Sequence, residues 1–390
     1  MGVALDAASR GLRTALIERN DFASGTSSKS SKLVHGGLRY LQQGEIGLVY
    51  QALAERQRLL RNAPHLVKPL PFLIPMFGHN GIIPAKIARI LGAAMWGYDL
   101  TGGLRIGKRH KRLGKQEALA YMPSLRTDRL VSGYLYYDAA ADDARLVVAV
   151  ARTAALDHGA VIANRVAARG FTKDAAGRIT GVVAEADGEE YTIRTRAVVN
   201  AAGVWADDVK AQDQGSHPDT IRPAKGIHIS VPWRLLRNEI AAVIPVLHDR
   251  RSVFVVPHGE LTYIGTTDTD YDGPLDDPQC TAEDVDYLLG AINSAVDEPL
   301  TTADVVGTWA GLRPLVKSAS SGRTADLSRK HRIDRSHSGL VSITGGKLTT
   351  YREMAADTVD EVVESVLARQ IDVSHVTRSR TKKLPLRGAA

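Results

Sequence analysis

The stretch that decides the fold is Gly11-Leu12-Arg13-Thr14-Ala15-Leu16-Ile17-Glu18. Apolar residues at helical spacing precede it, and its glycine stands where a glycine commonly ends a helix. Residues 14–18 then read as a short buried strand that is apolar until a terminal acid. A helix, a glycine and a strand ending in Glu18 predict the second half of a nucleotide-binding β-α-β unit, whose carboxylate accepts hydrogen bonds from the ribose of an adenine dinucleotide. The alternative is a surface acid that ends a strand.

The composition is that of an ordinary globular protein. The 390 residues include 50 Lys and Arg against 43 Asp and Glu, a formal charge of +7, and this excess suits anionic small molecules or an anionic membrane surface. The basic residues are scattered and not interleaved with aromatic ones, so we expect no nucleic-acid binding. There is no run of about 18 apolar residues, so we expect no membrane-spanning helix.

Two features argue against a metal site. A single cysteine, Cys280, excludes a disulfide framework and a Cys-rich zinc or iron–sulfur site. Residues 268–273 match the first half of a calcium-binding EF-hand loop, but Gln279 stands where the final Glu ligand is needed, and a strand precedes the loop. We therefore expect no metal.

The periodicity of the remaining sequence predicts further helices and strands. Helices are predicted over residues 46–62, 142–157 and 347–368, a hairpin over 178–194, and strands over 197–203, 226–232, 253–257, 261–267 and 340–343. Only His258-Gly259-Glu260 separates two of these strands, so we expect them to pair as a hairpin. The order of elements predicts an α/β nucleotide-binding domain with an antiparallel domain inserted within it.

A flexible segment rich in Ser, Gly and Lys, residues 24–32, precedes the motif His35-Gly36-Gly37-Leu38-Arg39-Tyr40. Its hydroxyl, backbone N–H and ammonium groups suit a pyrophosphate or the edge of an isoalloxazine ring. The two glycines of the motif permit close backbone approach to a flat ring, and Arg39 is a charged fork suited to phosphate. A solvated linker is the alternative for the first segment.

Two further segments, residues 200–205 and 344–351, reach glycines where a planar cofactor would find room. A helix that starts near Lys347 presents backbone N–H groups and the positive end of its dipole, which suits the charge on a reduced flavin. The alternative is a simple turn.

Basic and titratable residues near these segments are candidates for handling a substrate. Arg313, Arg329 and Lys347 suit an anionic substrate, although each also fits a surface cation. His228 lies on a predicted strand between aliphatic residues, where it is either a core histidine or a general base above a flavin.

Residues 84–100 form an amphipathic segment in which Lys86, Arg89 and Trp96 flank an apolar face. Such a pattern is typical of an interfacial membrane helix or of a helix packed on its own domain.

Five blocks of sequence, in order along nearly the whole chain, carry a resemblance to one family. They are residues 27–41, 225–228, 264–268, 311–315 and 345–352. Together they resemble FAD-dependent, quinone-linked glycerol-3-phosphate dehydrogenase, of the D-amino-acid oxidase-like flavoprotein group.

The resemblance implies oxidation of sn-glycerol 3-phosphate to dihydroxyacetone phosphate, with hydride transfer from C2 to flavin N5 and electrons passed to a quinone. It implies a FAD-binding Rossmann-like domain with an inserted antiparallel-sheet substrate domain. It also favours a cytoplasmic protein held peripherally on the inner face of the cell membrane, with residues 84–100 as the contact.

Site residues follow from the same resemblance. The phosphate ligands implied are Arg39, Arg313 and Arg329, and the catalytic residues are His228, as the base, Arg313 and Lys347, which is an alternative base. The residues implied to hold FAD are Glu18, Ser27, Ser28, Lys32, His35, Gly36, Gly37, Gly203, Gly346, Leu348 and Thr349.

The sequence departs from the family at both ends. The family opens with a strand and a Gly-x-Gly-x-x-Gly loop and continues past residue 390 into a helical domain, and this chain has neither. We therefore expect the chain as given to bind FAD weakly or not at all. The alternatives are an inactive, cofactor-poor remnant and an amine or amino-acid oxidase of the same flavoprotein group.

The predicted boundaries make the FAD-binding domain discontinuous. It comprises residues 1–75, 140–215 and 325–370, the substrate domain comprises 76–139 and 216–324, and a basic tail covers 371–390.

Overall fold

The computed structural model describes residues 1–37, 45–79, 92–93, 95–98, 108–246, 251–317 and 330–389. The α-helices are α1 (Gly2–Ser9), α2 (Ile46–Asn62), α3 (Lys115–Tyr121), α4 (Asp143–His158), α5 (Ala206–Gln214), α6 (Trp233–Leu236), α7 (Ala282–Asn293) and α8 (Tyr351–Glu361). The strands are β1 (Ala15–Ile17), β2 (Leu33–Val34), β3 (Val67–Phe77), β4 (Lys111–Gly114), β5 (Leu130–Ala141), β6 (Val161–Ala163), β7 (Ala167–Lys173), β8 (Ile179–Ala186), β9 (Glu189–Arg194), β10 (Val198–Asn200), β11 (Ile221–Pro232), β12 (Ala241–Pro245), β13 (Ser252–His258), β14 (Leu261–Gly265), β15 (Thr269–Asp270), β16 (Gly307–Val316), β17 (His331–Arg335) and β18 (Leu340–Gly345).

Two short sheets contain the parallel pairs expected of a nucleotide-binding fold. β1 pairs in parallel with β6, and β10 pairs in parallel with β18, which β17 joins in antiparallel. α1 packs against α4, where Leu5 and Leu146 share one buried cluster. The predicted helix, glycine and strand around residues 11–18 are thus confirmed, and so are the strands leading into Gly203 and Gly345. The expected burial of the first strand is wrong, because Ala15 is exposed and Leu16 and Ile17 are only half-buried.

The largest sheet has ten strands and is almost wholly antiparallel. Its order is β15-β11-β14-β13-β12-β3-β5-β2, with β16 added on β11 and β4 on β5. The predicted hairpin between β13 and β14 is present. A separate antiparallel sheet, β7-β8-β9, contains the other predicted hairpin. The expected α/β class is therefore confirmed.

The side chains of strand β11 show that the two faces of the large sheet differ chemically. Ile227, Ile229 and Val231 point to one face, have no solvent exposure and pack in the main core with Leu288 of α7. Because side chains alternate along a strand, His228 lies on the opposite face. That face carries the polar residues of the candidate site.

Three long strands, β3, β5 and β16, were not predicted as strands. β3 contains Pro69, Pro71 and Pro75, which remove backbone donors and interrupt the hydrophobic alternation that marks a strand. The predicted helix after Lys347 is present but changes type along its length. It begins as the 3₁₀ turn Leu348–Thr350 and passes from α8 into the π turn Val362–Val366.

The segment predicted as a patternless basic tail packs on three helices. Ser379 donates to Asp6 of α1, the amide of Asn62 in α2 donates to the carbonyl oxygen of Thr381, and Arg387 pairs with Asp157 of α4. Its Leu386 is 2% exposed and belongs to the cluster between α1 and α4. The division of the chain into domains stays a prediction.

The amphipathic segment 84–100 lies mostly outside the described residues. In its described part, Met95 and Tyr98 are buried, whereas Trp96 is 52% exposed. Across the described ranges, every helix is too short or too polar to cross a membrane.

Candidate active site

His228 is held on the polar face of β11 by one loop and one strand. Ser31 Oγ is 2.8 Å from Nε2 of His228. The ring of Trp309, the cross-strand neighbour on β16, stacks on the imidazole with centroids 4.9 Å apart and an interplanar angle of 4°. Trp309 Nε1 also donates to the carbonyl oxygen of Ser30 at 3.3 Å, so the same loop contacts both rings. The imidazole therefore has a fixed orientation.

The surroundings of His228 keep its imidazole neutral. Burial, followed by the positive charges of Arg313 and Lys32, lowers the pKa of His228 to about 3. Its Nδ1 is buried and has no hydrogen-bond partner within the described part of the chain. A neutral imidazole with one nitrogen unengaged can accept a proton from a bound molecule.

Arg313 on β16 is tethered by the loop that follows β14. Its Nη1 donates to Asp268 Oδ1 at 3.3 Å, and its Nη2 donates to Thr266 Oγ1 at 3.2 Å and to the carbonyl oxygen of Thr267 at 3.0 Å. Residues 266–268, which follow β14, thus anchor the arginine. A guanidinium held in this way can bind a phosphate with little loss of side-chain entropy.

Two strand glycines make room for these two side chains. A Cβ on Gly265 of β14 would lie 2.1 Å from Cδ2 of His228, and one on Gly226 of β11 would lie 2.7 Å from Nη2 of Arg313. Separations this short are far below van der Waals contact. We call Gly226 and Gly265 the glycine floor, because the imidazole and the guanidinium both lie over backbone that has no side chain.

The motif at residues 35–37 is fixed from behind by a buried polar cluster. The N–H of Gly36 donates to Tyr98 Oη and to Asp138 Oδ1, both at 3.2 Å. Tyr98 donates to Asp138 at 2.7 Å, and Arg56 pairs with the same carboxylate. Burial raises the pKa of Asp138, although Arg56 and these donors oppose the shift. The cluster therefore fixes the backbone at Gly36, and both glycines of the pair are buried.

His35 connects this motif to the large sheet and to the last predicted motif. Its ring contacts that of Phe254 with centroids 5.7 Å apart, and Phe254 is the cross-strand partner of Gly265. Burial, followed by the charges of Lys347 and Arg56, lowers the pKa of His35 to about 3. The structure therefore brings residues 35–37, the glycine floor and Lys347 into one region.

The last motif forms a tight turn at the start of the final helix. Gly345 and Gly346 have φ angles of 73° and 72°, in the region that glycine adopts most readily. The 3₁₀ turn Leu348–Thr350 follows, with Thr349 buried and Lys347 at its cap position. The expected helix start is present, but its first turn is 3₁₀ rather than α.

A cleft of about 430 Å³ is lined by residues of the segment 20–29, of the loop 275–280 and of strand β16. Thr26, Lys29, Trp205 and Gly311 are among its lining residues. The Nε1 of Trp205 is buried without a hydrogen-bond partner in the described ranges. Asp276 also lines the cleft, paired with an arginine. Hydroxyl, ammonium and indole N–H donors fit a phosphate-bearing polyol, and hence the ribityl and pyrophosphate parts of FAD.

Glu18 lies at the far end of this arrangement. Its carboxylate accepts from the N–H of Asn20 at 2.9 Å and is partly exposed, and Asn20 lines the cleft. Gly203, with a φ of 62°, begins the 3₁₀ turn Gly203–Trp205 that carries the indole into the cleft wall.

The remaining candidates occupy different situations. Ser27 and Ser28 lie in the 3₁₀ turn Thr26–Ser28, and Lys32 pairs with Asp143 at 2.7 Å. Arg39 and Arg329 lie outside the described residues. The roles of all these side chains stay predictions. In the part of the chain that the structure describes, no cluster of three metal-binding side chains occurs.

Sequence reasoning missed the residues that surround His228. Ser31 belongs to the polar segment 24–32, and Trp309 lies two residues before the block 311–315. Asp143 is the second of two consecutive acids at the start of a predicted helix, where one cap is enough. The second acid was the available signal.

Comparison with known proteins identifies relatives along the whole chain. A model of the FAD dependent oxidoreductase family matches residues 1–352. Glycerol-3-phosphate dehydrogenase 2 of Mycobacterium tuberculosis strain H37Rv is 42% identical over 390 residues, which is 100% of this chain and 64% of the relative. Aerobic glycerol-3-phosphate dehydrogenase of Staphylococcus aureus strain NCTC 8325 is 41% identical over 364 residues, 93% of this chain and 64% of the relative.

A solved structure shares the fold over the full chain. The glycerol-3-phosphate dehydrogenase from Bacillus halodurans, complexed with FAD, superposes with a TM-score of 0.77 and 35% identity. The match covers 100% of this chain and 66% of the other. The chain thus spans about two thirds of the length of these relatives.

Proposed function

The chain belongs to the FAD-dependent oxidoreductase family, and we propose that it oxidises sn-glycerol 3-phosphate to dihydroxyacetone phosphate. FAD is the cofactor of this family, and when bound it accepts the hydride that leaves C2 of the substrate. The relatives at 41–42% identity bear the name of this activity. The observation that carries the proposal is the pairing of a tethered Arg313 with a neutral, buried His228 on one face of one sheet.

The two side chains match the two ends of this substrate. Arg313 binds the phosphate through its guanidinium, because planar N–H forks suit phosphate oxygens. His228 accepts the proton of the C2 hydroxyl, since loss of hydride from an alcohol requires loss of that proton. Lys347, which acts electrostatically on His35, remains the alternative base.

Substrate binding itself strengthens His228 as a base. A phosphate monoester carries about two negative charges at pH 7, and the charge of Arg313 is one cause of the lowered pKa of His228. When phosphate neutralises Arg313, one contribution to the lowered pKa of His228 is removed, whereas the larger effect of burial remains. The imidazole is then neutral before binding and more basic after it.

The test is anaerobic reduction of the flavin-loaded protein by different substrates. We expect glycerol 3-phosphate to bleach the flavin band, whereas glycine and proline leave it oxidised. Reduction by glycine or proline would instead support the amino-acid oxidase alternative. In Arg313→Ala, the concentration of glycerol 3-phosphate needed should rise about 10-fold to 100-fold, as for loss of a charged hydrogen bond of about 1.5–3 kcal/mol. Flavin content should stay at the wild-type level.

We further propose that the electrons leave to a quinone at a membrane surface, on the inner face of the cell membrane. The resemblance of the five sequence blocks supports this acceptor. Rapid anaerobic reoxidation of the reduced protein by a soluble quinone, with slow reoxidation by oxygen, is the expected result. Equal rates with both acceptors would contradict it.

Trp96 and its neighbours support a membrane contact. The indole is 52% exposed, and its ring lies 5.2 Å from that of His110. His110 is close in sequence to three exposed basic residues, Lys108, Arg109 and Arg112. An interfacial aromatic ring next to cations suits an anionic lipid surface.

Vesicle sedimentation tests this contact. We expect binding to phosphatidylglycerol vesicles, weaker binding to phosphatidylcholine vesicles, and reduced binding in Trp96→Ala. Tyr191→Ala is the matched control, because Tyr191 on β9 is 51% exposed. Equal binding of the two variants would remove Trp96 from the contact.

A further inference from the structure

Asp143 is a buried acid that lies one loop away from His228. It is the first residue of α4, and its side chain is 2% exposed. The cap of the helix is Asp142, which accepts from the N–H of Arg145 at 3.0 Å, and Oδ1 of Asp143 accepts from the N–H of Ala144 at 2.9 Å. A buried carboxylate is costly unless it is paired, so its partners indicate what it does.

Both carboxylate oxygens of Asp143 hold the loop that contacts His228. Oδ2 accepts from Ser30 Oγ at 2.7 Å, and Oδ1 accepts from the ammonium of Lys32 at 2.7 Å. The hydroxyl of Ser30 in turn accepts from the N–H of Lys32 at 3.0 Å. Residues 30 and 32 are thus clamped, and Ser31 projects from between them to Nε2 of His228.

The backbone of Lys32 shows that this loop conformation needs external support. Its φ is 56°, in the left-handed region that non-glycine residues rarely adopt. Such a conformation costs of order 1–3 kcal/mol and persists where the surroundings enforce it. The paired ammonium and backbone N–H of Lys32 supply that enforcement.

We propose that Asp143 is a positioning residue for His228. Its buried carboxylate, by holding Ser30 and Lys32, fixes the Ser31 hydroxyl on the imidazole and keeps the ring dry against Trp309. This assignment rests on the proposed function only in giving His228 a catalytic role. The positive charges that act on His228 are those of Arg313 on β16 and Lys32 in the loop. Asp143 forms an ion pair with Lys32.

The direct test is ¹⁵N NMR of histidine-labelled protein without substrate. The His228 signals are assigned by their loss in His228→Gln, and their titration is followed from pH 8 down to the limit of folding. In the wild type we expect no protonation of His228 above about pH 5, since its pKa lies near 3. In Asp143→Ala the loop is released and water reaches the ring. The charge of Lys32 is then unbalanced and opposes protonation, but burial is the largest cause of the lowered pKa. The pKa should therefore rise by about one unit or more toward 6.5.

Two variants separate this effect from general destabilisation. Asp142→Ala removes the cap of the same helix and should lower the melting temperature without changing the titration of His228. Ser30→Ala removes only the hydroxyl of the clamp and should shift the titration in the same direction by less. It also provides a readout if Asp143→Ala does not fold. Unchanged His228 titration in both Asp143→Ala and Ser30→Ala would overturn the proposal.

A kinetic readout links the clamp to the reaction. We measure flavin reduction in the flavin-loaded protein at saturating glycerol 3-phosphate. In Asp143→Asn the apparent pKa of the reduction rate should rise, and the limiting rate should fall. If the wild type fails to reduce its flavin, the proposed function fails while the NMR result still decides the role of Asp143.

Discussion

The two ends of the candidate site are supported to different degrees. The imidazole of His228 is fixed by the loop at 30–32, the indole of Trp309 and a strand glycine. Glu18, at the other end, is positioned by a three-residue strand and one hydrogen bond to its carboxylate. The first region is built on the ten-stranded sheet, and His228 at its centre is 3% exposed. The second is partly open to solvent. The difference indicates that contacts within the protein fix the proposed reactive groups, and we expect the Glu18 end to gain order when the proposed nucleotide binds.

The largest effect is expected at the centre of the first region. Replacing the base in His228→Gln should slow flavin reduction at saturating glycerol 3-phosphate by about 10²-fold to 10⁴-fold, the usual contribution of general base catalysis. Stopped-flow absorbance of the flavin band measures it. A rate within a factor of two of the wild type would favour Lys347 as the base. It would also weaken the contrast drawn between the His228 region and the Glu18 end.

The second effect tests whether position, rather than chemistry, matters in this region. In Gly265→Ala the new Cβ would lie 2.1 Å from the imidazole, so the ring must move. Because a misplacement of about 1 Å can cost about 10²-fold, we expect the reduction rate at saturation to fall by that order.

Gly226→Ala is the matched control for this substitution. It displaces Arg313 instead of His228, so the substrate concentration needed for half-maximal rate should rise more than the limiting rate falls. Identical profiles for the two variants would mean that the glycine floor is only a packing feature.

A third effect concerns stability against acid. The folded protein keeps His228 neutral down to about pH 3, whereas the unfolded chain protonates near pH 6.5. The unfolded state therefore binds more protons below pH 6.5, and stability falls by up to about 1.4 kcal/mol per pH unit in that window.

His228→Gln removes this penalty. The drop in melting temperature from pH 7 to pH 5 should be smaller in His228→Gln than in the wild type, and scanning calorimetry measures it. His35, whose pKa is also lowered to about 3, should behave in the same way. An identical drop in melting temperature in the wild type, in His228→Gln and in His35→Gln would show that water reaches both imidazole rings.

The smallest effect is expected at the nucleotide end. Glu18→Gln retains one acceptor and loses the charge, so FAD affinity should weaken by about 5-fold to 10-fold, near 1 kcal/mol. The reduction rate of the protein that still carries flavin should be unchanged. Fluorescence titration with FAD measures the affinity, with Glu190→Gln on exposed β9 as the control. A 10³-fold loss of FAD affinity in Glu18→Gln would contradict the interpretation that few contacts position Glu18.

Local pattern was enough to predict the elements of the nucleotide-binding half. The helix over Ile46–Asn62 and the strand before Glu18 follow from spacing, glycine position and a terminal acid. Two long strands of the large sheet could not be predicted from the sequence pattern. β3 carries three prolines, and β16 mixes glycine with Trp309 and Arg313.

Tertiary proximity was not accessible from pattern alone. His228 and Arg313 were predicted as candidates, but Asp143 is 85 residues away from His228 in the numbering, and only the fold shows that it holds the intervening loop. Likewise the glycine floor depends on which strands pair, and Gly265 meets His228 only through the register of β11 with β14.

The segment that crosses α1, α2 and α4 has a consequence for how the molecule opens. Ser379, Thr381 and Arg387 each contact a different helix, and Leu386 fills the space between them. Helices sharing one such partner cannot lose it separately, so local opening should involve all three together. In hydrogen exchange, amides of these helices should then exchange with one common free energy, which makes this part of the protein a single cooperative unit despite its discontinuous sequence.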